Sequence, residues 1–107
     1  MKDKIRVLYK PVDGPAEIRT IPNTLKAVQG LVEGYFEPVR LFGSVIVIVN
    51  EEGLVRGMKK NEFAGMRYFG PWFVCGADGE DFTDVPDLFL DAVKHFGVKF
   101  REEADDV

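Results

Sequence analysis

Three features of the 107-residue chain predict an α+β domain, a mainly antiparallel sheet of about six short strands with two amphipathic helices. Short apolar or alternating segments are punctuated by Gly, Pro, Asp and Asn at hairpin spacing. Two other segments, near residues 24–33 and 84–96, carry apolar residues at helical spacing. The third feature is Val45-Ile46-Val47-Ile48-Val49, five β-branched apolar residues that end abruptly at Asn50-Glu51-Glu52-Gly53. A run that is apolar on both faces is buried on both faces, so it is the expected central strand.

The opening Lys4-Ile5-Arg6-Val7-Leu8-Tyr9 alternates and then turns apolar, as a strand does. Pro11-Val12-Asp13-Gly14-Pro15 supplies turn chemistry, and the alternation of residues 16–21 predicts an antiparallel return. Asn23 or Thr24 is the expected N-cap of a helix through about Glu33, with Leu25, Val28, Leu31 and Val32 as its buried stripe. Gly34 stands where a left-handed C-cap is expected. Residues 35–41 read as a strand that Pro38 pushes to an edge or a bulge. After the Asn50–Gly53 turn, residues 54–58 read as a short extension pairing back on that strand. Residues 59–70 lack periodicity and read as an irregular loop.

Trp72-Phe73-Val74-Cys75 is a short buried strand, and Ala77-Asp78-Gly79-Glu80 turns it into a returning 81–83. Asp84 and Asp87 then fit an Asp-x-x-Asp variant of the capping box. Val85, Phe89, Ala92, Val93 and Phe96 form the stripe of the second helix, which Gly97 ends. Residues 98–100 suit a last short strand. Residues 1–101 form one domain in this reading, and 102–107 form an acidic, disordered tail.

The longest apolar run is five residues, against about 20 for a membrane helix, and Met1-Lys2-Asp3-Lys4 leads into a strand rather than a leader segment. With a lone Cys75, a soluble cytoplasmic protein without an internal disulfide is expected. Residues 1–67 hold eleven Lys/Arg against eight Asp/Glu, whereas residues 68–107 hold three against ten. An acidic chain with pI about 5.0 lacks the basic footprint of nucleic-acid binding.

Catalytic and cofactor signatures are weak. His95 is the only histidine and has no second soft ligand for zinc, so it reads as structural or surface. Cys75 sits among large apolar residues and reads as a buried thiol rather than a nucleophile. Asp78, Glu80, Asp81, Asp84 and Asp87 do not follow the calcium-loop pattern. No glycine-rich phosphate motif occurs, and Ser44 is the only serine. No cofactor is expected. The best local candidate is the basic-aromatic stretch Arg56, Lys59, Lys60, Asn61, Arg67 and Tyr68, with Phe63 and Phe69 between them. Cations interleaved with aromatics suit an acidic protein surface or an anionic small molecule.

Several segments together resemble a family, domain of unknown function 3846. They are Ile5-Arg6-Val7-Leu8, residues 21–29 with Leu25 and Gln29, residues 32–39 with Gly34 and Tyr35, the Asn50-Glu51-Glu52-Gly53 turn, and Gly57 with Asn61. The resemblance covers roughly residues 4–75. It implies a small phage- or mobile-element-type accessory protein and transfers no catalytic residue. One departure is Met58-Lys59-Lys60-Asn61, where the family often carries Leu-Pro-x-Asn. The expected function is therefore non-enzymatic protein–protein binding, to a host protein. The alternative is sequestration of an anionic, nucleotide-like ligand by residues 56–69. Edge strands and the apolar excess also allow a homodimer by sheet extension.

Overall fold

The computed structural model describes residues 3–103. The observed elements are β1 (Lys4–Lys10), β2 (Glu17–Pro22), α1 (Leu25–Val32), β3 (Phe36–Phe42), β4 (Val45–Asn50), β5 (Lys60–Phe63), β6 (Met66–Phe69), β7 (Trp72–Asp78), β8 (Asp81–Thr83) and α2 (Asp87–His95). Six strands make one sheet in the order β2-β1-β7-β4-β3, with β8 also pairing β7, and β5–β6 form a separate hairpin. All named strand pairs are antiparallel. The α+β class with a mainly antiparallel sheet and two helices is thus observed.

Alternation along the strands divides the interior into two cores. Leu8, Ile18, Val45, Val47, Val49, Trp72 and Val74 point to one face, where Val85, Phe89, Leu90 and Val93 of the α2 segment cover them. Phe63, Met66 and Tyr68 of the β5–β6 hairpin pack on the same face. Ile5, Val7, Ile46, Ile48, Phe73 and Cys75 point to the other, against Val28 and Val32 of α1. The helices therefore lie on opposite faces of the sheet. Both helices are short and owe their stability to this packing rather than to intrinsic propensity.

The Val45–Val49 run is buried throughout, as its composition requires, but it stands second from the edge. The middle strand is β7, which joins β4 on one side and β1 and β8 on the other. Residues 51–57 form successive turns, so the extension expected over 54–58 does not pair with β4. The stretch 59–70, expected as an irregular loop, is a regular hairpin pairing Lys60 with Phe69 and Asn61 with Tyr68. Its turn residues Ala64 and Gly65 both adopt positive φ, 53° and 80°. Two-residue type I′ hairpin turns require this geometry, and Asn-Gly rather than Ala-Gly is its usual signal.

The ends of the helices also differ from expectation. Thr24 caps α1, its hydroxyl accepting from the Ala27 amide, but the left-handed residue at the C-terminus is Glu33 with φ 64°. Pro86 stands at the N-cap of α2 without a side-chain hydrogen bond, and Asp84 instead accepts from the Arg6 amide. Leu25 and Phe96, both assigned to buried stripes, are exposed. Residues 98–100 form no strand; Arg101 makes an isolated parallel bridge to Glu17. Of the acidic segment, Glu102 lies 3.4 Å from Lys94 and Glu103 accepts from the Thr20 amide and hydroxyl. Residues 104–107 lie outside the described residues.

Ala64 in the left-handed region identifies a correctable strain. Ala64→Asn is expected to stabilise the protein by about 1 kcal/mol, a rise of about 4–8 °C in Tm, measured by calorimetry.

Candidate functional site

Two buried asparagines organise the surfaces around the sheet. Asn61, on β5, is 2 % exposed. Its Oδ1 accepts from Lys10 Nζ at 2.8 Å, and its Nδ2 donates to the carbonyls of Lys10 and Gly70. Its own carbonyl accepts from the Trp72 indole at 3.0 Å. The hairpin is thereby fastened to β1 and β7. Partial burial lowers the Lys10 pKa, an effect that Asp13 opposes.

Asn50, the last residue of β4, plays a similar part. Its Nδ2 donates to the carbonyls of Val32 and Glu33, and its Oδ1 accepts from the Glu52 amide. Arg56 adds a bond from Nη1 to the Glu33 carbonyl at 2.9 Å. These donors satisfy carbonyls that the end of α1 leaves without helical partners. A Cβ on Gly34 would lie 2.9 Å from Arg56 Nη1 and 3.0 Å from Asn50 Nδ2, so the helix end, the turn and Arg56 pack closely.

The six candidate residues of the basic-aromatic stretch are divided by this arrangement. Asn61 and Tyr68 point inward; the Tyr68 ring meets Trp72 edge-on at 5.3 Å, and burial raises its pKa. Lys60 and Arg67 are exposed, 3.9 Å and 3.8 Å from Glu62. Lys59 is exposed and paired with Asp13 at 2.9 Å. Arg56 lines a different depression, a cleft of about 330 Å³ that it shares with Gln29, Gly34, Tyr35 and Glu52. Lys60 and Arg67 flank one carboxylate, whereas Arg56 joins a separate surface.

A larger concavity was not anticipated. A groove of about 610 Å³ is lined by Leu41 and Phe42 at the end of β3, by residues 64–66 at the hairpin tip, and by Phe89, Ala92, Val93, Phe96 and Val98. Every lining residue is apolar or glycine. Phe96 on its rim is 80 % exposed, Phe42 is 48 % exposed, and Leu88, near the start of α2, is 69 % exposed. A small chain that exposes large apolar side chains beside an apolar groove has a surface suited to a partner. The one signal in sequence was Phe96 at the end of an otherwise buried stripe.

The remaining titratable candidates carry no catalytic geometry. Cys75 is buried, and desolvation pushes its thiol up to about 12. His95 is exposed at the end of α2, its ring against that of Phe96. Among the described residues no three His, Cys, Asp or Glu side chains are grouped to hold a metal ion. No helix among them is long and apolar enough to cross a membrane.

Two measurements follow from the buried groups. Asn61→Ala removes the partner of two carbonyls and of Lys10 at once, and is expected to cost about 2–3 kcal/mol in urea unfolding. The Cys75 thiol ionises above about pH 9 in the unfolded chain but only near 12 when folded. Its contribution to stability is therefore fully present below pH 9 and declines above it by about 1.4 kcal/mol per pH unit. Unfolding free energies between pH 9 and 10 check this, and Cys75→Ala is expected to flatten the slope.

The model of one protein family, Domain of unknown function (DUF3846), matches residues 5–97. Comparisons with curated proteins and with solved structures each found no match.

Proposed function

The chain belongs to the DUF3846 family, and from that premise we propose that it is a protein-binding domain whose docking surface is the apolar groove between α2, the β5–β6 hairpin tip and the end of β3. One observation carries the reading. The groove is lined wholly by apolar residues and glycine, and Phe96 and Phe42 stand exposed at it. Burial of one aromatic ring in a complementary surface supplies much of the energy of a typical protein interface. A groove with no polar anchor lacks the convergent donors and acceptors that orient a small polar ligand.

In this reading the protein is non-enzymatic and cytoplasmic. It is a phage- or mobile-element-type accessory protein whose partner is a host protein, the context implied by its family resemblance. The acidic excess of residues 68–107 supplies electrostatic steering toward a partner with a basic rim. The segment 56–69 contributes through the hairpin tip, residues 64–66, and Lys60 and Arg67 lie on the same hairpin.

Affinity capture from bacterial lysate, comparing wild type with Phe96→Asp and Phe42→Asp, tests the reading. Both positions are substantially exposed, so both variants are expected to retain the wild-type circular dichroism spectrum. The expected result is a specific protein retained by wild type and lost by both variants. Capture that neither substitution changes would overturn the groove as the docking surface.

A further inference from the structure

We propose that the cleft of about 330 Å³ at the end of α1 is a second binding site, separate from the apolar groove, and that it takes the base of a guanine nucleoside. The cleft is the polar counterpart of the groove. Gln29, Tyr35, Glu52 and Arg56 line it around Gly34. A few convergent donors and acceptors are what orient a small polar ligand, and the groove has none.

The main chain of the cleft is fixed in advance. The Asn50 carboxamide holds the carbonyls of Val32 and Glu33 together with the Glu52 amide. The Glu51 amide donates to the Tyr35 carbonyl, and the Arg56 amide donates to the Glu52 carbonyl. A Cβ on Gly34 would stand 2.9 Å from Arg56 Nη1, so glycine keeps the floor clear. The side chains, by contrast, are left without partners. Glu52 and Arg56 stand four residues apart, a spacing at which acid and base commonly pair. Here Arg56 Nη1 donates instead to the Glu33 carbonyl at 2.9 Å, and no ion pair joins it to Glu52. Among the described residues, the side chains of Gln29, Tyr35 and Glu52 have no hydrogen-bond or ion-pair partner.

These groups define the ligand by what each can do. A carboxylate only accepts, and the guanidinium has donors to spare beyond the one spent on Glu33. Tyr35, 67 % exposed, adds an uncovered aromatic ring. A matching ligand is flat, with adjacent donors on one edge and adjacent acceptors on another. Guanine meets all three conditions. Its ring N–H and exocyclic amino group suit a carboxylate, and its carbonyl oxygen and imidazole nitrogen are the usual target of Arg. Adenine has no such pair of donors. Arg56 is the one cation lining the cleft, and Glu33 and Glu51 adjoin lining residues in the chain, so the base rather than a phosphate is the group recognised.

Isothermal titration calorimetry of the full chain with guanosine, adenosine and guanosine monophosphate tests the proposal. Guanosine is expected to bind with a dissociation constant below about 1 mM. Adenosine is expected to bind at least about tenfold more weakly. The monophosphate is expected to bind no more tightly than the nucleoside. Glu52→Gln and Tyr35→Ala change exposed side chains, and each is expected to weaken guanosine binding by about tenfold with the circular dichroism spectrum unchanged. Phe96→Asp, in the groove, is expected to leave it unaltered. Three results would each overturn the site: no guanosine binding at about 1 mM, adenosine bound equally well, or guanosine binding that survives both cleft substitutions. A monophosphate bound about tenfold more tightly than guanosine would overturn recognition through the base alone.

Discussion

The hydrogen bonds that converge on Asn61 are the constraint on which the surface of this protein depends. A two-stranded hairpin has too little core of its own to be stable in water. The β5–β6 hairpin is held because the Trp72 indole, fully buried in the middle strand, donates to the Asn61 carbonyl while the Asn61 carboxamide bonds back to β1 and to Gly70. Phe63 and Tyr68 then close over the Trp72 ring. A polar anchor thus sets the position, and the aromatic contacts supply the burial. With the hairpin fixed, its tip becomes one wall of the groove.

Asn50 is the counterpart on the opposite face. It joins the end of β4 to the last carbonyls of α1, and Arg56 reaches back to reinforce the same helix end. The polar residues through which the chain resembles its family are therefore partly architectural. Asn50 and Asn61 are both buried and both engaged with main-chain groups. The buried asparagines hold the elements together, while Phe42 and Phe96 stand exposed at the groove.

Much of the sheet was legible because strand patterning is local. The Val45–Val49 run, the edge position of the Pro38 strand and the Gly79 hairpin all follow from residues within a few positions of one another. The β5–β6 hairpin was hidden because Ala64 occupies a conformation normally signalled by Asn or Gly, and because Lys60 and Arg67 obscured the inward alternation of Asn61, Phe63, Met66 and Tyr68. The cap of α2 was misread for a nonlocal reason: Asp84 bonds an amide 78 residues earlier in the chain. Arg56 and Arg67 look adjacent in composition but serve different surfaces, since the turns of residues 51–57 direct one of them to the end of α1. The groove was the least legible feature, because three separated segments meet to form it.

The place of β7 in the sheet has a consequence for the route by which the chain acquires its structure. β1–β2 and β3–β4 are each closed by short connections, so both pairs form from neighbours in sequence. Neither pair touches the other through main-chain hydrogen bonds; β7, tens of residues later, inserts between them. Without β7 each pair is a two-stranded unit with too little core to be stable in water, so both halves await one late strand. Loop-closure entropy makes such joining slower than local hairpin formation, and the unpaired edges are then open to misassociation. The residues that make β7 so apolar, Trp72 to Cys75, are thus what commits both halves to a single cooperative unit.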